Sequence, residues 1–155
     1  MADFKATKSS PTANSYATID EADDFFELEY GADEWINLTD DTKEKLLTTA
    51  TRMIDQLSPV YSKADDTQAL NFPADNTDDG FTQAKQACIM QAFYLFQNAD
   101  EIQEAQANRI QGLITESIGP VSRQISGFNS FGKYAPGVLG LLKNHIDLTA
   151  TSQRG

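Results

Sequence analysis

The order of apolar and polar positions along the chain predicts a helical protein whose first helix has a cap at each end. Thr18 is followed three residues later by Glu21, the spacing of a reciprocal capping box, so we expect this helix to begin at Ile19. Gly31 stands where a helix commonly ends on a left-handed residue. The apolar residues of this helix share one face at helical spacing, and they are Ile19, Ala22, Phe25, Phe26 and Tyr30.

A second amphipathic helix is predicted after a short elbow that contains Trp35. Thr39 and the two acids after it supply N-cap oxygens and the negative charge that a helix dipole favours in its first turn. The pattern ends at Ser58-Pro59, because the residue before a proline disfavours helical backbone. The apolar stripe of this helix keeps helical spacing, and it consists of Leu46, Leu47, Ala50, Met53, Ile54 and Leu57.

Two further helices are predicted in the middle of the chain. The third should begin near residues 79–81 and run to about Asn98. It is apolar on nearly every side from Ala87 to Phe96, which is typical of a helix surrounded by others. A fourth should follow and extend to Leu113. The side chains that we expect to be largely buried are Phe25, Phe26, Trp35, Leu46, Leu47, Ala50, Met53, Ile54, Leu57, Cys88, Ala92, Phe93, Leu95 and Phe96.

The last third of the chain changes character. Residues 114–125 alternate β-branched and polar positions around Gly119-Pro120, which predicts a short hairpin or bent strand. A last short helix should span Val138 to Ile146. The expected fold class is therefore mainly α, a four- to five-helix bundle with a small β hairpin or arm.

The same patterns predict one domain with loosely held ends. Residues 1–14 are rich in Ser, Thr, Lys and Pro and should form a flexible arm. Residues 15–147 should form the helical domain, with the β arm at about 113–126, and residues 148–155 a polar tail. The connection from Ser58 to Asp79 is long for an ordered loop, so either Leu70 and Phe72 pin it to the core or it serves an interface.

Charge is distributed unevenly along the chain, whose formal net charge is −11. Residues 11–80 have a net charge of −13, whereas residues 81–155 have a net charge of +1. Such a balance argues against tight phosphate binding, which needs clustered Lys and Arg to release counterions. No apolar run approaches the length of a membrane span and no signal peptide is recognisable, so we expect neither.

Residues capable of chemistry are sparse. Cys88 is the only cysteine, and it lies on the apolar side of the third helix as a small core residue would. His145 is the only histidine and has no nucleophile at a recognisable spacing. Asp75 to Gly80 overlays the first half of a calcium loop, but Gln86 occupies the position of the bidentate Glu, so a helix-capping turn explains it better. We therefore expect no enzymatic activity and no cofactor, and leave open whether Asp75–Gly80 binds a cation.

One stretch resembles a known family. Ser15 to Leu57 is similar to the N-terminal half of tailed-phage head–tail connector (adaptor, or head-completion) proteins, with a Tyr-x-Thr-x-x-Glu-Ala start, a Trp in the elbow and an Ala-Thr-Arg-x-Ile/Leu-Asp second helix. Gln68–Pro73 and Glu116–Ser122 also resemble family segments, and the likeness extends from about Tyr16 to Ile146. Ala74 departs from the pattern, because many relatives have an Arg there. Some such sequences bear a DnaT-like single-stranded-DNA-binding label.

The resemblance implies a non-enzymatic homo-oligomeric ring, commonly of twelve copies, in the neck of the virion after synthesis in the host cytoplasm. Such a ring would bind the portal protein, extend the channel through which double-stranded DNA passes without specific binding, and offer a docking surface to a stopper or tail-completion protein. We expect contact between protomers to involve Ile114, Glu116, Ile118, Val121, Arg123 and Ile125. We expect docking to the portal to involve Phe128, Phe131, Tyr134, Leu139, Leu142 and Ile146.

Two alternatives remain at this point, a single-stranded-DNA-binding replication accessory protein and an undetected hydrolase or metal protein. The first would need basic residues interleaved with stacking aromatics, and we expect the aromatics Phe25, Phe26, Tyr30, Phe93 and Phe96 to face the core instead. If the terminal helix serves docking, deletion of Ala135–Gly155 should leave a folded domain that no longer attaches to portal-bearing capsids.

Overall fold

Helices form the framework of the protein, whose computed structural model describes residues 3–73, 78–104 and 133–147. They are α1 (Ile19–Glu27), α2 (Asp33–Ile36), α3 (Asp40–Asp55), α4 (Asp78–Gln97) and α5 (Val138–Leu142). Residues 99–104 are helical too, which agrees with the start of the predicted fourth helix. The mainly helical class is confirmed. The predicted β arm at 113–126, most of the fourth helix and the polar tail lie outside the described residues.

The capping signals at the start of the first two long helices are confirmed. The Thr18 hydroxyl accepts a hydrogen bond from the Glu21 N–H at 3.1 Å, and the Glu21 carboxylate accepts one from the Thr18 N–H at 2.9 Å. Gly31 is left-handed as predicted, with a φ of +82°, but it does not cap α1, because the helix ends at Glu27 and its C-cap is Leu28. The Thr39 side chain caps α3 by accepting from the Thr42 N–H. Local sequence therefore determines where α1 and α3 begin.

The prediction that Tyr30 lies on the buried face of α1 is wrong. The helix ends at Glu27, so Tyr30 does not continue its apolar face, and its side chain is fully exposed. Helical spacing carries information only while the chain stays helical. One of the aromatics assigned to the core is consequently on the surface.

The core lies where α1 and α3 pack with α4, and an aromatic cluster fills the end near the elbow. The ring of Phe26 lies 4.9 Å from Trp35 and 4.9 Å from Phe93, measured between centroids. Of the predicted core, the fully buried members are Phe26, Trp35, Leu47, Ala50, Ile54, Leu57, Cys88 and Ala92. Four half-buried members pack against that core, and they are Phe25, Leu46, Phe93 and Leu95. Met53 and Phe96 are also half-buried, and the ring of Phe96 stacks on Phe93.

The C-terminal segment belongs to the core, contrary to our expectation that it lies outside. Val138, Leu142 and Ile146 are at most 3% exposed, and α5 packs against α4. The helix ends at Leu142 rather than Ile146, because Ile146 forms an antiparallel bridge with Pro59. That bridge is an isolated β pairing, and the described residues contain no strand.

A buried glutamine in α4 fixes the segment that leads into α5. The Gln91 side chain is fully buried, and its Oε1 accepts a hydrogen bond from the Ala135 N–H at 2.7 Å. Its Nε2 donates to the Lys133 carbonyl at 3.2 Å. Since a buried amide without partners is costly, these bonds specify one position for residues 133–135.

The long connection after α3 is pinned to the core through Leu70 and Phe72, as one of our two readings predicted. Phe72 is 1% exposed and packs edge-on against Tyr16, and Leu70 is partly buried against the same core. The buried Gln68 donates from Nε2 to the carbonyls of Leu70 and Pro73. The peptide bond before Pro73 is cis.

The N-terminal residues, which we predicted to be a flexible arm, make defined contacts from residue 3 onwards. Asn14 and Lys5 exchange two hydrogen bonds, one from each backbone N–H. The Ser10 carbonyl accepts from the Ala69 N–H, which ties the segment to the long connection. The mobility of this segment stays a prediction, but its contact surface is the side of the domain that contains the 58–73 connection.

Candidate functional site

The residues assigned to protein contacts do not come together as one described surface. All six residues assigned to the protomer interface lie outside the described residues, as do Phe128 and Phe131 of the docking set. The six are Ile114, Glu116, Ile118, Val121, Arg123 and Ile125. Leu142 and Ile146 are buried in the core. The half-buried Tyr134 donates its hydroxyl to the Met53 carbonyl at 3.2 Å, whereas Leu139 is exposed.

A buried polar junction joins the start of α1 to the end of α3. The Tyr16 hydroxyl donates to the Asp55 carboxylate, and the same carboxylate oxygen accepts from the Asn71 N–H at 2.7 Å. The Tyr16 oxygen accepts in turn from the Phe72 N–H at 3.3 Å. Burial, reinforced by the Asp55 charge, raises the pKa of Tyr16 far above its usual value. The phenol therefore stays protonated and acts as a structural link.

A second polar junction explains the tryptophan of the elbow. The Trp35 indole N–H donates to Asp23 at 2.8 Å, and the Lys43 ammonium lies 2.9 Å from the same carboxylate. The Lys43 side chain is only 4% exposed, whereas that of Asp23 is 35% exposed. This arrangement holds α1, the elbow and α3 together. Sequence reasoning did not identify it, because Trp35 and Lys43 lie 12 and 20 positions from Asp23 and nothing in that spacing indicates a contact.

The two residues with the most reactive side chains are placed as structural elements. Burial raises the pKa of the Cys88 thiol to about 11, and its sulfur lies 3.2 Å from the Thr51 hydroxyl. The His145 ring lies against Gly80, where a Cβ would come within 3.2 Å of Nδ1. A thiol that stays protonated at neutral pH is a poor nucleophile.

Two depressions of the described surface differ in size. The more enclosed one lies between the N-terminal segment and Phe81, and its volume of about 10 Å³ leaves room for at most one water. The other is an open groove of about 410 Å³ whose lining includes Asn14, Arg52 and Asp55. Part of the calcium-like stretch, residues 74–77, lies outside the described residues. Within the described ranges, no group of three or more His, Cys, Asp and Glu could hold a metal ion. No described helix is long and apolar enough to cross a membrane.

The described residues also include exposed large apolar side chains, which lie at two places besides Leu139. Leu28, Tyr30 and Ile36 lie at the elbow and are 93%, 103% and 45% exposed; we call them the elbow patch. Val60 and Tyr61 follow α3 and are 52% and 50% exposed; we call them the far-end patch. Exposed large apolar side chains that lie close together often mark binding surfaces.

The elbow patch has a strongly acidic setting. Residues 20–41 contain ten acids and no Lys or Arg, and the acids are Asp20, Glu21, Asp23, Asp24, Glu27, Glu29, Asp33, Glu34, Asp40 and Asp41. Most of them are exposed. A phosphate backbone would be repelled from this surface at moderate ionic strength.

Together these features define a small helical protein whose described surface offers contact patches but no recognisable catalytic constellation. The chain belongs to the family described as "Putative DnaT-like ssDNA binding protein", whose model matches residues 5–154. No curated protein and no solved structure matches it. The family match agrees with the DnaT-like label noted for sequences of this kind, and the connector identity stays a prediction.

Proposed function

We propose that this protein is a structural subunit of a phage neck, a head–tail connector that assembles as a ring beneath the portal. The observation that carries the proposal is the similarity of Ser15–Leu57 to connector proteins. In the structure this segment builds α1, the elbow and α3, with exposed apolar side chains at the elbow and just beyond the end of α3. These exposed apolar side chains are available to contact neighbouring subunits in an assembly.

The electrostatics of the described surface support a connector that does not grip DNA. The exposed Tyr30 lies in a stretch, residues 20–41, that contains ten acids and no Lys or Arg, so this aromatic is a poor platform for a nucleic-acid strand. Lys43, the first basic residue after them, is buried and bonded to Asp23. DNA that moves along a channel needs a wall that does not bind it tightly, and an acidic wall meets that condition.

Loading onto capsids tests the proposal. Purified protein is added to capsids that have a portal ring but lack this subunit, and bound protein is measured after sedimentation. We expect saturable binding with ring density beneath the portal, and none to capsids without a portal. Absence of binding to the portal-bearing capsids would refute the connector function.

The family match favours a second candidate, single-stranded DNA binding, and supports it more directly than it supports the connector. Among the described residues, the exposed aromatic best suited to base stacking is Tyr61, which lies two residues before Lys63.

A matched pair of variants decides the second candidate. Fluorescence anisotropy with a labelled oligothymidylate at roughly 150 mM salt measures affinity, because non-specific electrostatic binding weakens steeply as salt rises. Submicromolar binding that Tyr61→Ala weakens and Tyr30→Ala leaves unchanged would establish a DNA site at Tyr61. We expect no such binding from the acidic surface.

A further inference from the structure

The open groove beside α3 lies where three segments of the chain meet. The N-terminal segment contributes Asn14, the last turns of α3 form a second wall, and the 58–73 connection contributes Leu70. The groove volume of about 410 Å³ is within the range of roughly 300–1,000 Å³ that ligand sites occupy. The Asn14 side chain is fixed, because its Oδ1 accepts from the Lys5 N–H and its Nδ2 donates to the Asp3 carbonyl. This wall is therefore in place before any ligand binds.

Two donor groups on one rim of the groove have no acceptor in the described part of the chain. They belong to Arg52 and Gln56, whose spacing of four places them on the same side of the helix end. The Arg52 guanidinium is exposed and forms no hydrogen bond or ion pair with another described residue. The Gln56 Oε1 accepts from the Lys133 ammonium at 3.0 Å, whereas its Nε2 donates to no described group. A ligand that supplies acceptors would satisfy both donors.

This rim is positive, although the whole chain has a net charge of −11. Arg52 and Lys133 bring two positive charges and the described lining contains one acid, Asp55, so the local sum is +1. The Asp55 Oδ1 accepts from the Tyr16 hydroxyl and the Asn71 N–H, so these hydrogen bonds already compensate part of its charge. Three lysines elsewhere contact carboxylates, and they are Lys43, Lys45 and Lys85. The rim of the groove therefore attracts an anionic group.

We propose that the groove binds an acidic segment of another protein. A carboxylate of that segment lies between the Gln56 amide and the Arg52 guanidinium, whose parallel N–H groups match the two carboxylate oxygens. A neighbouring apolar side chain of the segment packs against the half-buried Leu70. The described lining contains no aromatic ring on which a nucleobase could stack, which favours a carboxylate over a nucleic-acid phosphate. Such a site is independent of the connector function, because groups of this chain alone build it.

Two synthetic peptides test the proposal on the whole chain. The probe is a fluorescein-labelled peptide in which glutamates alternate with leucines between terminal serines. Its matched control has glutamine in place of each glutamate and is otherwise identical. Fluorescence anisotropy at roughly 50 mM salt measures both affinities, because higher ionic strength screens contacts between exposed charges.

Three variants of the protein remove one positive charge each. Arg52→Gln and Lys133→Gln remove it from the rim of the groove. Lys45→Gln, the control, removes it from an exposed pair with Asp41 on α3, away from the described lining. All three substituted side chains are exposed, so the variants should stay folded, which circular dichroism verifies.

The glutamate peptide should bind the unchanged protein saturably. Arg52→Gln should weaken this binding about fivefold and Lys133→Gln about twofold, because exposed ion pairs contribute modestly. Lys45→Gln should leave the affinity unchanged. The glutamine peptide should bind more weakly than the glutamate peptide, and Arg52→Gln should not change its affinity, since the carboxylate that Arg52 contacts is then missing.

Other results would overturn the proposal. Absence of saturable binding at millimolar peptide, or equal binding of the two peptides, would show that the groove holds no carboxylate. Equal weakening by Lys45→Gln and Arg52→Gln would show a response to the overall charge of the protein. Displacement of the peptide by an oligothymidylate at equal concentration would assign the site to phosphate instead.

Discussion

Leu142→Ala should destabilise the protein strongly, because the structure places the C-terminal helix in the core. Leu142 is fully buried against α4, so the change removes three carbon groups from the interior, worth about 2.4 kcal/mol at roughly 0.8 kcal/mol each. The remaining cavity adds to this, which brings the expected loss to about 3–5 kcal/mol. Leu139→Ala, three residues earlier and 36% exposed, should cost less than about 1 kcal/mol.

Urea unfolding followed by circular dichroism measures both variants, and the two free energies of unfolding are compared at similar m-values. Equal losses for the two leucines would refute the core position of α5. The same reasoning reverses our expectation for deletion of Ala135–Gly155. That truncation removes Val138, Leu142 and Ile146 from the core, so it should unfold the domain rather than leave it intact.

Three further outcomes follow from the buried and bonded polar groups. Asp23→Ala should cost about 2–3 kcal/mol in urea unfolding, because it leaves the buried Lys43 ammonium without its carboxylate, and Lys43→Met should cost less. Burial opposes ionisation of Glu21, but hydrogen bonds from Lys85 and from the Thr18 cap lower its pKa overall. The Glu21 carboxylate therefore stabilises the fold fully above its unfolded pKa, and this stabilisation is lost as pH falls through its folded pKa. Glu21→Gln should therefore flatten the acid side of the stability profile; an unchanged profile would contradict this. Cys88 should not react with a thiol reagent at pH 8 until urea unfolds the protein, and rapid labelling of folded protein would show that it is accessible.

Sequence predicted those parts of the fold that depend on neighbouring residues. The capping box at Thr18, the left-handed Gly31 and the α3 cap at Thr39 are local events, since each involves atoms within a few residues. The long-range junctions were not predictable in this way. Tyr16 bonds to Asp55 from 39 positions away, and nothing in the spacing of either residue identifies the partner.

The same limit explains the candidate surfaces. Periodicity placed Tyr30 on a buried face because it assumed that α1 continues past Glu27, whereas the helix ends there. It also treated the apolar positions of the C-terminal helix as surplus to a four-helix core. The structure shows instead that these positions belong to the core. The buried Gln91 of α4 forms hydrogen bonds to residues 133 and 135, and α5 packs against α4.

The burial of the C-terminal segment also changes where a partner can bind. Leu142 cannot contact a second protein while its side chain is packed in the core. The large apolar side chains that remain most accessible in the described part of the chain belong mainly to the elbow and far-end patches. If the protein is an assembly subunit, its contacts should come from these two ends. A Leu28 variant should then lose assembly at unchanged stability, whereas a Leu142 variant should lose stability first.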